Sequence, residues 1–289
     1  MSFEIITDSS ANLPESLIEK NGLHILSLVF RVKEEEYASY VKGETTDLAK
    51  FYKMMREKEN ITTSLINVEY CMDYMQGLLE QGKDVLYIGF SSGLSGSYQA
   101  VAMVVDQLKE EYPERKIMAV DTLAAALGEG LLVYYACQLK EQGKTIEEVY
   151  DWIMENRLHL CHWFTVDDLF FLQRGGRVSQ TAAIVGSVLS IKPVMHVDDE
   201  GKLIVVEKAR GRRKSLDGLV RHMEETVTNP TEQVVFISHG DCQEDADYVA
   251  RKVKEKLHVK DVLVHILDPV IGAHSGPGTV ALFFLGTKR

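Results

Sequence analysis

Apolar and polar positions along this chain switch repeatedly between two rhythms. Val85 to Phe90 is a short apolar run and Ser91 to Gly96 a stretch of mostly small residues. Beyond it Tyr98, Val101, Ala102, Val105 and Leu108 recur at helical spacing. That predicts a buried strand, a loop and a helix with one apolar face. Upstream, strands are predicted over Phe3–Thr7 and His24–Val32, with Lys33–Glu36 a charged loop and Asn60–Asn67 a polar loop. Helices are predicted over Pro14–Lys20, from Thr46 or Asp47 through Met55, and over Val68–Gln81. A strand over Lys116–Asp121, a helix through Gly128-Glu129-Gly130 to Gln142 and a helix over Ile146–Glu155 follow. Strands alternating with helices at this spacing imply βαβ units on a parallel sheet.

After Arg157 the pattern changes. His159–Val166 alternates as a strand, and Asp167–Gln173 is a short helix leading into Arg174-Gly175-Gly176-Arg177. Thr181–Ser190 is almost uncharged and predicts a largely buried helix. Pro193–Val197 and Lys202–Lys208 form a hairpin across Asp199-Glu200-Gly201. Then come a helix (Ser215–Thr226), a strand (Val234–Ser238), a helix (Gln243–His258), a strand (Val262–Leu267), a glycine-rich loop (Gly272–Gly278) and a strand (Thr279–Leu285). The fold class is therefore α/β. The break falls near Glu155, giving an N-terminal unit over residues 1–155 and a C-terminal unit over 156–289.

Composition narrows the function. A length of 289 residues suits two domains or one large one. The net charge of −11, from 32 basic and 43 acidic residues, disfavours nonspecific binding to nucleic acid or an anionic membrane. The opening MSFEIITDSS has neither the basic nor the apolar region of a signal peptide, and no apolar run is long enough to span a membrane. Four scattered cysteines without a CxxC pair suit reduced thiols. A cytoplasmic location is expected.

The candidate chemistry centres on the loop before the Tyr98 helix. Ser91, Ser92, Ser95 and Ser97 are more hydroxyls than one helix cap needs, and a helix N-terminus carries about half a positive charge. Together they suit an anion without any lysine. A serine hydrolase is the rival reading: Gly93-Leu94-Ser95-Gly96-Ser97 approaches the G-x-S-x-G nucleophile elbow, and His274 lies downstream. Ser97 stands where its second glycine belongs. Nucleotide motifs fail: Gly89, Gly93 and Gly96 lack the G-x-G-x-x-G spacing, and Gly143-Lys144-Thr145 lies between helices, as a turn. His159 and Cys161 face away from His162 on a strand, so no zinc site is expected there. The run Lys208–Lys214 places five cations in seven residues, among them Arg210, Arg212 and Arg213. Such a cluster is either a solvated face or a dock for an acidic or phosphate-bearing partner.

Taken together, TDSSANLP (Thr7–Pro14), TTS (Thr62–Ser64), SSGLSGSYQ (Ser91–Gln99), LGEG (Leu127–Gly130), RGGRVS (Arg174–Ser179) and GAHSGPG (Gly272–Gly278) resemble the DegV family of bacterial fatty-acid-binding proteins. The resemblance covers essentially the whole chain in order. It implies an N-terminal α/β/α domain with a parallel sheet, a C-terminal α/β domain with a mixed sheet, and a lipid held between or beside them. It also implies a long-chain fatty acid whose carboxylate is held by Thr63 and Ser95. The Gly96 N–H, Ser64, Ser92 and His274 are further candidates. One departure is local: the family's turn usually reads T-S-Q-P-S, and here it reads Thr63-Ser64-Leu65-Ile66-Asn67. Some members are the acyl-carrying, non-catalytic subunit of a fatty acid kinase, so a kinase partner is implied, with no cofactor and no metal. The chemistry agrees. Two hydroxyls and a helix N-terminus satisfy a buried carboxylate, and each buried methylene of the tail contributes about 0.8 kcal/mol.

Overall fold

The computed structural model describes residues 3–179 and 191–289, so the helix expected over residues 181–190 lies outside the described residues. The chain opens with β1 (Phe3–Asp8), a 3-10 turn at Ser9–Ala11, α1 (Glu15–Asn21) and β2 (His24–Leu26). Next are β3 (Val29–Val32), β4 (Glu35–Ala38), α2 (Leu48–Arg56), β5 (Ile61–Ser64) and α3 (Val68–Glu80). β6 (Asp84–Gly89), α4 (Ser97–Glu111), β7 (Ile117–Asp121), α5 (Leu127–Glu141) and α6 (Ile146–Asn156) follow. After them come β8 (Leu160–Thr165), α7 (Phe170–Arg174), β9 (Ile191–Val197), β10 (Leu203–Arg210) and α8 (Arg212–Thr226). The chain ends with β11 (Val234–His239), α9 (Gln243–Leu257), β12 (Asp261–Ile266), α10 (Pro269–Ser275) and β13 (Val280–Leu285).

Two main sheets result. The first is wholly parallel, in the order β2-β1-β6-β7. Its strands β1 and β6 are buried almost throughout, as continuous apolar runs in a parallel sheet must be. Helices α3 and α4 pack together on one pair of its strands and α5 and α6 complete the α/β/α layering. The second sheet is mixed, β10-β9-β8-β13-β11-β12, with only the β11–β12 pair parallel. The outer face of this sheet packs against α8 and α9. Its inner face belongs to the same hydrophobic core as the first sheet, through Phe164, Phe236, Ala281 and Phe283. Helix α5 lies between the sheets, touching β6 on one side and β8, β11 and β13 on the other. That is why Leu127 through Val133 are buried without interruption.

Three segments depart from the expected elements. The single strand over His24–Val32 is broken at Ser27-Leu28, where Ser27 Oγ donates to the Leu28 carbonyl and accepts from the Tyr40 N–H. The Leu28 N–H is drawn instead to Ser9 Oγ at 3.0 Å. The charged loop at Lys33–Glu36 is a tight turn leading into β4, and the polar loop around Thr62-Thr63-Ser64 is β5. Together with β3 they make a small antiparallel sheet, β4-β3-β5. Branched threonines suit a strand, and an edge strand with one wet face carries no apolar signal. The glycine-rich loop at Gly272–Gly278 is mostly helix. Asp268 caps α10 by accepting from the Ile271 N–H at 2.9 Å, Pro269 opens it, and Gly276 leaves it at φ 82°.

Candidate functional site

The site is built where the loop after β6 meets the C-terminal half of the chain. Ser91 Oγ donates to the Gly201 carbonyl at 2.8 Å, and an added Cβ on Gly93 would stand 2.5 Å from the Glu200 carbonyl oxygen. The β9–β10 hairpin tip therefore sits directly on the serine loop, and only glycine permits that approach. Further on, the Ser97 N–H donates to Ser95 Oγ at 3.2 Å, and the two hydroxyls stand 3.0 Å apart. Gly96 heads α4, whose first-turn N–H groups have no intrahelical partner.

Opposite this loop stand β5 and α10. Thr63 Oγ1 and His274 Nε2 are 2.8 Å apart. The helix carrying His274 is fixed by Asp268, which also accepts from Ser39 Oγ at 2.6 Å and whose carboxyl burial pushes up to about 6. An added Cβ on Gly175 would fall 2.1 Å from His274 Nδ1, so the glycines of the RGGR turn let that turn close over the imidazole. Burial, then Arg177 and Arg174, hold His274 down to about 4, and the ring is neutral at pH 7.

Between these elements lies a cavity of about 350 Å³. One end is polar, with Thr63, Ser64, Ser95, Arg177 and His274; much of the rest is apolar, with Leu28, Phe90, Ala126, Phe164 and Leu267 among its walls. Ala126 holds φ at 53°, a strained conformation for a residue with a Cβ, at the turn into α5. A larger cleft of about 890 Å³ opens beside the β3–β4 hairpin, but carboxylates such as Asp8, Glu15, Glu34 and Asp268 line it. Size does not decide between them. The smaller cavity joins apolar walls to hydroxyl, imidazole and guanidinium groups with no carboxylate in its described lining, the signature of a site for an anionic amphiphile.

Four of the expected ligand residues thus meet in one place: Thr63, Ser64, Ser95 and His274. Ser92 does not line the cavity; its N–H donates to Asp121 Oδ1 at 3.2 Å. Gly96 stands just behind Leu65, 3.5 Å from an added Cβ to Leu65 Cδ1. Arg177 was not singled out from the sequence. It crosses from the RGGR turn to the serine loop, its Nε donating to the Leu94 carbonyl at 3.0 Å. The signal was the second arginine of that motif.

The geometry does not favour the hydrolase reading. His274 bonds to Thr63 and not to Ser95, and its Nδ1 is buried without a partner among the described residues, where a triad needs a carboxylate. In the basic run, Arg212 is already committed, its Nε 2.8 Å from Asp245 Oδ2, while Arg213 lies over the Tyr248 ring at 3.8 Å. Among the described residues no helix is long and apolar enough to cross a membrane.

Comparison with known proteins gives a consistent picture. The family model described as "Uncharacterised protein, DegV family" matches residues 2–287. A DegV domain-containing protein of Clostridium perfringens is 46% identical over 287 residues, covering 99% of this chain and 98% of the relative. One from Lactococcus lactis is 36% identical, covering 100% and 99%. Among solved structures, a fatty-acid-binding DegV family protein of Thermus thermophilus superposes with a TM-score of 0.88 at 27% identity, covering 99% of this chain and 100% of its own. One from Streptococcus agalactiae, also described as fatty acid binding, gives 0.86 at 29%, covering both chains fully at 100%.

Proposed function

This chain belongs to the DegV family, and on that premise we propose that it binds a long-chain fatty acid and presents its carboxyl group to a partner kinase. The observation that carries the reading is the cavity with hydroxyl donors at one end and apolar walls along much of the rest. The neighbours described as fatty acid binding support it.

In this reading Thr63 and Ser95 donate their hydroxyl protons to the carboxylate. His274, neutral, carries its proton on Nε2 and donates to Thr63 Oγ1, which frees the threonine proton for the ligand. The α4 N-terminus at Gly96 and the Arg177 guanidinium supply positive potential. None of these groups is a nucleophile or a base poised against one, so the protein is a carrier and not itself a catalyst. The two units, residues 1–155 and 156–289, close on the ligand through the serine loop and the hairpin. Four free thiols fit a cytoplasmic setting.

Organic extraction of the denatured protein followed by mass spectrometry tests the reading. A long-chain fatty acid near one per chain is the expected result. Its absence, together with ester turnover lost in Ser95→Ala, would establish the hydrolase instead.

Partner docking falls to the basic run, now narrowed by the ion pair of Arg212. Arg210 and Arg213 are exposed, as are Lys208 and Lys214, and they flank the start of α8, where cations are disfavoured by the helix dipole unless something neutralises them. Rim charges act mainly on association rate and salt dependence. Replacing Arg210 and Arg213 with alanine is expected to leave fatty acid affinity unchanged and to slow acyl phosphate formation with the partner kinase. Wild-type rate and salt sensitivity in that variant would reduce the run to a solvated face.

A further inference from the structure

Three polar side chains outside the carboxylate site line the cavity; Ser275 and Thr279 stand beside His274 at the end of α10, and the third, on β8, lies apart from them. His162 lines the cavity from β8 and is only 5% exposed. Strand alternation places it with Phe164 on the face toward α5, while Cys161 and Trp163 face the other core. Its ring lies 4.5 Å from that of Phe283, its cross-strand partner, and 5.7 Å from that of Phe164. The imidazole makes no hydrogen bond among the described residues, and Nδ1 is buried without a partner.

Position and orientation both matter. Thr165 pairs with Val280 next to the polar end, and His162 pairs with Phe283 three residues along the same strand pair. At about 3.3 Å per residue that is about 10 Å deeper into the protein. Nδ1 packs against α5 at Gly128, where an added Cβ would stand 3.4 Å from it. The remaining polar edge of the ring, Nε2, is then the one available to the cavity. Burial, followed by the nearby Arg289, keeps the ring neutral by pushing it well below the usual histidine range. A neutral imidazole offers one donor and one acceptor and no charge.

A plain alkyl chain filling the cavity would strip water from Nε2 without offering it a partner, and a polar atom buried in that way is unfavourable. We propose that His162 reads a polar substituent on the chain, and that the preferred ligand is a fatty acid bearing a hydroxyl group in its middle. A hydroxyl suits a neutral imidazole because it donates and accepts through the same oxygen. The inference rests on the fatty-acid reading above and specifies its substrate class. Sites built to hydrogen-bond a hydroxyl discriminate strongly against analogues that lack it.

Displacement of a fluorescent fatty acid by stearic acid and by a positional series of monohydroxystearic acids provides the test. One mid-chain isomer is expected to bind at least tenfold tighter than stearic acid. In His162→Leu that preference should vanish while stearic acid still binds within threefold of wild type, which also reports that the variant is folded. His162→Gln, which keeps a donor and an acceptor, should retain part of the preference. If stearic acid binds and no isomer binds tighter, or if the preference survives in His162→Leu, the assignment is wrong and the carrier reading stands. If neither stearic acid nor any isomer displaces the probe, both fall together.

Discussion

Asp8→Asn is expected to destabilise the protein by at least about 3 kcal/mol, whereas Glu129→Gln costs within about 1 kcal/mol at pH 4.5, where Glu129 is still about half protonated in the unfolded chain too. These two carboxyl groups share a fully buried site where the end of β1 meets α5. Ser10 Oγ stands 2.5 Å from Asp8 Oδ1 and 2.6 Å from Glu129 Oε2. A hydroxyl has one proton, so it cannot donate to both oxygens, and one carboxyl must be protonated. Asp8 is surrounded by donors: the Ser10 N–H at 3.0 Å, the Tyr87 hydroxyl at 2.8 Å and the Phe90 N–H at 3.1 Å, besides the Ser10 hydroxyl. Glu129 has only Thr7 Oγ1 at 3.1 Å beyond Ser10. Burial, then the Asp8 charge, push Glu129 well above the usual carboxylate range. The proton is therefore on Glu129 and the charge on Asp8.

Glutamine reproduces a protonated Glu129, accepting from Thr7 and donating to Ser10. Asparagine at position 8 turns an NH₂ group toward donors whichever way it is flipped. Each donor left unsatisfied costs about 1–3 kcal/mol. Denaturant midpoints separate the cases, and pH adds a second reading. Below its ordinary value of 4.5, Glu129 is protonated in both folded and unfolded chains. As pH rises above that, the unfolded chain loses the proton first, and stability falls by about 1.4 kcal/mol per pH unit until the folded group titrates. Glutamine has no proton to lose. The wild type should therefore weaken relative to Glu129→Gln from about pH 5 upward. A severe Glu129→Gln and a mild Asp8→Asn would place the proton on the other partner.

The second large effect concerns affinity. The Thr63→Val, Ser95→Ala double variant is expected to bind long-chain fatty acids on the order of a hundredfold more weakly. Each hydroxyl removed is a hydrogen bond to a charged group, worth about 1.5–3 kcal/mol, and about 1.4 kcal/mol is tenfold. The apolar walls are untouched. Affinity should then still rise with chain length by about 0.8 kcal/mol per methylene, in parallel with the wild type but displaced from it. Titration across saturated acids of increasing length measures slope and offset separately. An unchanged offset would mean that the carboxylate lies elsewhere; a changed slope would mean that the substitutions had disturbed the cavity walls.

Local pattern alone determined much of this protein. The strand, serine loop and helix from Asp84 to Glu111 lie where apolar runs and helical spacing place them, because burial on a parallel sheet demands a continuous apolar strand. Thr63, Ser95 and His274 were recognisable as residues, though nothing local joins them. Their meeting depends on β5 pairing with β3 and on α10 packing beside it, contacts between segments 211 residues apart. For the same reason Thr62-Thr63-Ser64 reads as a loop in isolation: an edge strand half in water has no apolar signature until its partner is known. Arg177 and His162 were hidden differently. An arginine in a glycine turn and a histidine in an alternating strand become informative only when the opposite wall shows what each side chain faces. The same holds for Asp8 and Glu129, whose single shared proton follows from a hydroxyl standing between them and from the exclusion of water that only the packed sheets provide.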